Sequence, residues 1–281
     1  MSKVWEVENL GYAFPEQKRD VLRGIGFSVE AGQWTVIFGH NGSGKSTLLK
    51  IMAGLYEPGT GAVSFAGKKL SDWKDGGFRP KVAWLGQHAV NQLITTSVEE
   101  ELAFGLENLA LPAEEIRRRV DYFLQEWGLA PYRHHPPHLL SGGQQQKLAL
   151  ASVLIMEPEA LLADEPFLYA GAGLELRRKF DALRARGVTI VMATPDPSAM
   201  LHADKIIILK SGALIWKGSP EQLFMQKERW PEWGIFPPPL WEFWSYLADL
   251  GCGDGIKNLE AEKLVRKYAD YLGGRPFSVQ R

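Results

Sequence analysis

A glycine-rich segment at residues 39–47 carries one lysine and three hydroxyl side chains, and it matches the pattern G-x-x-x-x-G-K-[ST]. Glycines allow a backbone to wrap closely around a phosphate chain with its N–H groups pointing inward. Lys45 can then reach the β- and γ-phosphates of a nucleotide, and the Ser46 hydroxyl can ligate Mg²⁺. Average residue usage gives such a match in about one random chain in a hundred, so nucleotide binding is the stronger interpretation. The predicted nucleotide-binding residues of this segment are Gly39, Asn41, Gly42, Ser43, Gly44, Lys45, Ser46 and Thr47.

Two consecutive carboxylates, Asp164 and Glu165, directly follow the apolar run at residues 161–163. Taken alone, an acidic pair after a strand is usually a solvated strand end. Together with a phosphate-binding loop it is the second half expected of a nucleotide-hydrolysing site. We predict that Asp164 holds Mg²⁺ through water and that Glu165 orients and deprotonates the attacking water.

A second glycine-containing helix start follows Leu140, and its helix N-terminus offers another anion-binding site. A nucleotide hydrolase that works as a single chain has no obvious use for it. In the order of these three motifs the sequence resembles the ATP-binding cassette (ABC) family. In that family the helix start after Leu140 is the signature motif. The resemblance implies that two chains sandwich two ATP molecules, and that the signature of one closes over the γ-phosphate held by the other. The signature residues are Ser141, Gly142, Gly143 and Gln144.

Two further positions match the family one at a time. Phe14 stands where an aromatic residue stacks on adenine. Gln87, after a predicted strand at residues 82–85, is similar to the glutamine that senses Mg²⁺ and the attacking water and couples the site to a membrane partner. The resemblance therefore implies nucleotide binding by Phe14, and both catalytic and Mg²⁺-ligating roles for Gln87.

Two positions depart from the family pattern. Pro195 replaces the histidine that holds the γ-phosphate in the transition state, and proline offers neither a side-chain donor nor an N–H group. By analogy with other preorganised donors, its loss costs about 10²–10³ in rate. Gly171 replaces an aspartate six residues after Glu165, in a loop that normally crosses to the opposing subunit. We predict that ATP binding is preserved and that hydrolysis in this chain's own site is slow.

Two regions resemble a particular branch of the family, the energy-coupling-factor (ECF-type) importers of vitamins and metal ions. Residues 87–108 are similar to the segment that contacts the coupling helices of the membrane T component, although 90–92 read Val-Asn-Gln where the branch has acidic residues. The tail from about 220 to 281 resembles the domain that helps to hold two ATPases together. The implied partners are a second ABC ATPase, a transmembrane T component and a substrate-binding membrane subunit. A heterodimer is favoured and a homodimer is the alternative.

These motifs require a sheet whose strands end at one edge. An uninterrupted apolar run at 34–38 predicts a buried strand before the glycine loop, and helical residues follow it at 46–53. Two more buried parallel strands are predicted at 160–163 and 188–193, with a helix at 174–186 between them.

The predicted fold is α/β: an ABC ATPase (P-loop NTPase) with a mostly parallel core sheet, an antiparallel β subdomain and a helical signature subdomain. A small, mainly helical C-terminal domain follows. Ser97 and Glu100 fit a capping box where the helical subdomain begins. The sequence pattern changes after Gly218, and we predict an ABC ATPase (nucleotide-binding) domain at 1–220 and a C-terminal dimerisation or accessory domain at 221–281.

Composition narrows the remaining functional classes. The 281 residues hold 32 Lys and Arg against 33 Asp and Glu, without the basic excess of a nucleic-acid binder. One cysteine allows no internal disulfide, and no apolar run approaches the roughly 18–20 residues that span a bilayer. Together with these observations, the resemblance to ECF-type importers implies a peripheral protein at the cytoplasmic face of the membrane. Two alternatives stay open: an ABC protein outside transport, and a non-catalytic module that dimerises with ATP.

Overall fold

The computed structural model describes residues 2–16, 20–73, 77–167 and 173–236. Gly171 and most of the predicted C-terminal domain, from residue 237 onward, lie outside the described residues. The described strands are β1 (Lys3–Ala13), β2 (Asp20–Glu30), β3 (Trp34–Phe38), β4 (Thr60–Phe65), β5 (Lys68–Lys69), β6 (Val82–Leu85), β7 (Ala160–Asp164), β8 (Thr189–Thr194), β9 (Lys205–Lys210) and β10 (Ala213–Gly218). The described α-helices are α1 (Lys45–Met52), α2 (Val98–Asn108), α3 (Ala113–Glu126), α4 (Gly142–Leu154), α5 (Gly173–Ala185), α6 (Pro220–Phe224) and α7 (Trp230–Trp233).

A six-stranded sheet in the order β10-β9-β3-β8-β7-β6 forms the centre of the fold. Strands β9 and β10 form an antiparallel hairpin, and the other neighbouring pairs run parallel. Strands β3, β7 and β8 are buried along their whole length, as expected when helices cover both faces of a parallel sheet. The prediction of an α/β fold with a mostly parallel core sheet is confirmed.

The register of this sheet brings three strand ends to one edge. Phe38 at the end of β3 pairs with Thr194 on β8, and Asp164 at the end of β7 pairs with Ala193. The glycine-rich loop, Glu165 and the residue after Thr194 all leave the sheet at this edge. Ligand sites of open α/β sheets lie at the carboxyl ends of the strands, so this edge is where a site is expected.

A second sheet, in the order β2-β1-β4-β5, is antiparallel throughout. On it the Trp5 ring packs against Phe65 and Phe78, with ring centroids 4.8 and 5.6 Å apart. The same apolar cluster contains Leu48 and Ile51 of α1. The predicted antiparallel β subdomain is therefore present, and its core is continuous with the helix that follows the glycine-rich loop.

Helices α2, α3 and α4 pack together as the predicted helical subdomain. The Ser97 hydroxyl caps α2 by accepting a hydrogen bond from the Glu100 N–H at 3.2 Å. The Glu100 carboxylate in turn accepts from the Thr96 N–H at 3.2 Å. No helix among the described residues is both long and apolar enough to cross a bilayer.

The segment that joins Gln87 to α2 is held by a buried carboxylate. One Glu101 oxygen accepts the N–H groups of Ile94 and Thr95, each at 3.0 Å, and the Thr95 hydroxyl at 2.9 Å. The Ile94 side chain itself is exposed. Glu101 thus fixes the backbone of this segment to α2 while leaving an apolar side chain on the surface.

Helices α6 and α7 pack onto the core sheet. Leu223, Trp230, Trp233 and Ile235 are buried in the same apolar cluster as residues of β3 and β8. The Trp230 indole also donates a hydrogen bond to the Leu223 carbonyl at 3.0 Å. The described start of the C-terminal region is therefore part of the core, and the domain boundary near residue 220 stays a prediction.

Candidate functional site

The loop between β3 and α1 follows a path that side chains would block. A Cβ atom at Gly39 would lie 2.4 Å from the Leu209 carbonyl oxygen and 2.5 Å from Ser43 Oγ. Gly44 has a φ of 99°, in the left-handed region that glycine adopts readily. These glycines let the loop fold back directly before α1, whose first N–H groups have no intrahelical acceptor. The sequence therefore builds an anion-binding helix start at this edge of the sheet.

The Lys45 side chain is buried inside this loop, with 4% of its surface exposed. Its Nζ donates to the carbonyl oxygens of Gly39 at 2.6 Å and His40 at 3.1 Å. Burial lowers the pKa of Lys45, against the opposing charges of Glu165 and Asp164. Among the residues that the structure describes, the hydrogen-bond partners of this ammonium group are neutral carbonyls. It is therefore suited to receive an anionic ligand, because a phosphate would supply the missing counter-charge.

Asp164 is buried at the end of β7, with 2% of its surface exposed. Burial raises the pKa of its carboxyl, while a hydrogen bond from Ser46 and the Lys45 charge act in the opposite direction. Among the described residues, neither its Oδ1 nor Ser43 Oγ has a hydrogen-bond partner. Buried polar atoms are nearly always paired, so both atoms indicate a ligand that the site is built to receive.

The chemistry of this donor set fits Mg²⁺. The ion prefers hard oxygen ligands and is usually bound by one or two protein groups together with substrate phosphates and water. The Ser46 hydroxyl and the Asp164 carboxylate are such oxygens, and they lie close enough for Ser46 to lower the pKa of Asp164 against the effect of burial. Asp164 Oδ1, which is buried without a described partner, offers the negative charge that a divalent cation requires.

Glu165 has a strained backbone. Its φ of 49° lies in the left-handed region, which costs a residue with a side chain about 1–3 kcal/mol and recurs at functional sites. The Glu165 N–H donates to the Ala193 carbonyl at 2.8 Å. This bond to β8 fixes the turn that follows β7 and sets the direction in which the carboxylate leaves the sheet.

An open cleft of about 440 Å³ collects most of the predicted residues. Phe14 lies on its wall, and its ring also packs edge-on against Tyr12 with centroids 5.2 Å apart. Gln87 and Glu165 reach the same cleft from the ends of β6 and β7. The residues that line the cleft are Phe14, Val21, Asn41, Gly42, Gly44, Lys45, Ser46, Thr47, Gln87 and Glu165.

Val21 is a wall residue that the sequence prediction missed. It lies on β2, and the Val21 carbonyl oxygen would be only 3.1 Å from a Cβ atom at Gly44. Its place in the cleft depends on how the antiparallel sheet packs against the glycine-rich loop. A single valine in a strand pattern gives no signal of that contact.

The signature residues lie elsewhere. Ser141 caps α4 by accepting from the Gln144 N–H at 3.4 Å, and the Gln144 side chain accepts from the Ser141 N–H at 2.9 Å. Ser141 is exposed, and none of the four signature residues lines the cleft. The start of α4 is thus a second anion-binding helix end on the surface, separate from the Lys45 cleft.

Pro195 stands directly after β8, beside the strand end that carries Asp164. It is half-buried, and as a proline it presents no N–H group to a ligand. The Thr194 hydroxyl accepts from the Asp196 N–H at 3.0 Å, and Asp196 caps the short helix that follows. These hydrogen bonds hold the loop on either side of Pro195, but residue 195 itself contributes no hydrogen-bond donor at this edge.

The sequence pattern of the ABC transporter family matches residues 22–168. The energy-coupling factor transporter ATP-binding protein EcfA1 of Lactococcus lactis subsp. cremoris is 33% identical over 278 residues, with 97% of this chain and 100% of that protein covered. EcfA1 of Clostridium novyi is 33% identical over 270 residues, with 92% and 95% covered. The similarity to these relatives therefore extends over nearly the whole chain.

Solved structures agree with these relatives. The structure of cbiO1 from Clostridium perfringens, part of the ABC transporter complex cbiONQ, has a TM-score of 0.73 and 32% identity, covering 86% of this chain and 99% of that one. The dimeric cassette MJ0796 bound to ADP and Pi has a TM-score of 0.70 and 28% identity, covering 76% and 98%. The fold, the cleft and these similarities lead to one conclusion: the chain belongs to the ABC transporter family and is one of its ATPases.

Proposed function

We propose that the chain is the ATP-binding and hydrolysing subunit of an ECF-type importer of vitamins or metal ions. It would be attached to the cytoplasmic face of the membrane through its partners. The observation that carries this proposal is that the predicted site is split between two places. Lys45 and Glu165 line one cleft, and the buried Asp164 carboxylate is close enough for its charge to act on Lys45, while the start of the signature helix lies outside the cleft. The names of the full-length relatives support the ECF-type assignment.

The cleft explains how this chain would hold ATP. Phe14 on the wall would stack on adenine, and the backbone N–H groups of the glycine-rich loop would surround the phosphates. The Lys45 ammonium would exchange its carbonyl acceptors, Gly39 and His40, for the β- and γ-phosphate oxygens. Ser46, Gln87 and Asp164 would hold Mg²⁺, which neutralises phosphate charge when bound.

Glu165 would take a proton from the attacking water. Its carboxylate lines the cleft with Lys45 and Gln87, and the hydrogen bond from its N–H to β8 keeps its backbone fixed. A base that is already positioned needs little reorganisation when the water attacks. Gln87 would orient the same water from the end of the neighbouring strand, β6.

The exposed start of α4 implies a second ATPase chain. We infer that Ser141, Gly142, Gly143 and Gln144 bind the γ-phosphate of an ATP held by that partner, and that a heterodimer is the working form. ATP binding would close the pair, and hydrolysis would reopen it. The motion would pass through Gln87 and the segment held by Glu101 to a transmembrane T component, while a separate membrane subunit binds the cargo.

Pro195 supports the prediction that ATP hydrolysis is slow in this chain's own site. It lacks the donor that family members place against the γ-phosphate, and Gly171 departs from the family in the same direction. The extreme form of this idea is a non-catalytic module that dimerises with ATP. Glu165, Lys45 and Asp164 argue against that extreme, because a chain that only binds ATP has no need of a positioned base.

Purification of the tagged full-length chain from its native membrane tests the transport assignment. The expected result is co-purification of a second ABC ATPase and of membrane-spanning proteins in a fixed ratio. An untagged strain is the control for non-specific capture. Recovery of ribosomes or nucleic acid in place of membrane proteins would refute the importer and support an ABC protein outside transport.

Asp164→Asn tests the Mg²⁺ site. Because burial raises the pKa of this carboxyl, its charge at neutral pH destabilises the ligand-free fold. The amide should therefore raise the melting temperature, by about 2–4 °C for each kcal/mol gained. The same change should weaken Mg²⁺-dependent ATP binding by about 10–100-fold. Exposed Asp72→Asn is the matched control. A lower melting temperature with an intact Mg²⁺ effect would contradict this assignment.

Pro195→His tests the predicted impairment. The imidazole would restore a donor beside the γ-phosphate, and the steady-state ATPase rate of the full-length chain should rise at least tenfold, toward the about 10²–10³ that such a donor is worth. Pro195→Ala, which removes the proline without adding a donor, should leave the rate low. Equal ATPase rates for wild type and Pro195→His would show that the proline does not slow hydrolysis, and would contradict the predicted impairment.

A further inference from the structure

Gln146 is a buried polar residue that none of the roles above uses. It lies on α4, about 1.4 helical turns after Ser141, and only 2% of its surface is exposed. Its Nε2 donates a hydrogen bond to the Pro166 carbonyl oxygen. Its Oε1 has no hydrogen-bond partner among the described residues.

The residue that Gln146 holds is the one directly after Glu165. Pro166 has no N–H group, so its carbonyl is the only backbone polar group by which it can be held. On the other side, the Glu165 N–H donates to Ala193 on β8. The strained Glu165 is thus fastened at both ends, to the core sheet before it and to α4 after it.

A simple packing role does not account for this choice of residue. The next buried positions of α4 are Leu148, Ala149 and Leu150, and a leucine or methionine at 146 would fill comparable space. Burying an amide whose oxygen has no partner among the described residues opposes folding. The hydrogen bond to Pro166 is the feature that an apolar side chain could not reproduce.

We propose that Gln146 is the positioning residue for Glu165, and that it links the signature helix to the hydrolytic carboxylate of the same chain. The proposal rests on the proposed roles of Glu165 and the signature. One end of α4 would face the ATP of the partner, and its second turn would hold the backbone beside Glu165. Closure of the signature on the partner's ATP would thereby adjust the base that serves this chain's own ATP.

Single-turnover hydrolysis of ATP bound to this chain, measured in the complex with its co-purified ATPase partner, tests the proposal. The partner carries a Glu-to-Gln change at its own hydrolytic carboxylate, so that only this chain's site turns over. Gln146→Met should lower the single-turnover rate at least tenfold and change ATP affinity, measured by equilibrium titration, less than twofold. Gln145→Met is the matched control. Gln145 lies on the same helix and donates to a different carbonyl, that of Pro137, at 3.0 Å, so both quantities should stay within twofold of wild type.

The outcomes separate this proposal from the one on which it rests. If Glu165→Gln slows hydrolysis and Gln146→Met does not, Gln146 has no positioning role, although Glu165 remains the base. If Glu165→Gln leaves the rate unchanged, the proposed function of Glu165 fails and the role of Gln146 fails with it. Melting curves report whether each variant folds. Should Gln146→Met not fold, Gln146→Leu, which also fills the buried space and lacks the donor, is expected to show the same loss of rate.

Discussion

The structure depends on two buried groups of opposite charge, Lys45 and Asp164, which lie at one edge of the core sheet and do not fully neutralise each other. Lys45 is held by two neutral carbonyls, and Asp164 keeps an oxygen with no described partner. Burial opposes both charges, since it lowers the pKa of Lys45 and raises that of Asp164. The phosphates and Mg²⁺ of a bound nucleotide are the partners that would complete both groups. The core sheet and the glycine-rich loop hold Lys45 and Asp164 in these positions.

The start of helix α4, like Lys45 and Asp164, presents polar groups whose partner would be a nucleotide, but that nucleotide would be held by a second chain. The capped start of α4 begins at the exposed Ser141 and lies away from the cleft. The anion-binding N–H groups at this start would therefore find their phosphate only on a second chain. The second turn of α4 nevertheless contacts the backbone beside Glu165 through Gln146. A helix that serves two ATP molecules in this way would make the activity of one site depend on the closure of the other.

The sequence predicts those parts of the fold and the site that depend on neighbouring residues in the chain. Buried strands, the glycine-rich loop and the acidic pair follow from uninterrupted apolar runs and residue types. The edge of the core sheet then brings Lys45, Gln87 and Glu165 into one cleft, and Phe14 joins its wall from the antiparallel sheet. Contacts between distant elements have no such pattern. The wall position of Val21, the left-handed backbone of Glu165 and the buried bond of Gln146 arise only when the sheets and α4 are packed. The roles assigned to these residues, including the departure at Pro195, stay predictions until they are measured.

We expect the buried Lys45 ammonium to bind the phosphates of ATP, and calorimetric titration of ATP with Mg²⁺ into the full-length chain tests this expectation most directly. Lys45→Met keeps the buried length of the side chain and removes its charge. Loss of a charged hydrogen bond of about 1.5–3 kcal/mol predicts affinity weakened by about 10–100-fold. The melting temperature without nucleotide should not fall, because a buried charge is removed. Unchanged affinity, with one ATP still bound to each chain, would contradict the account.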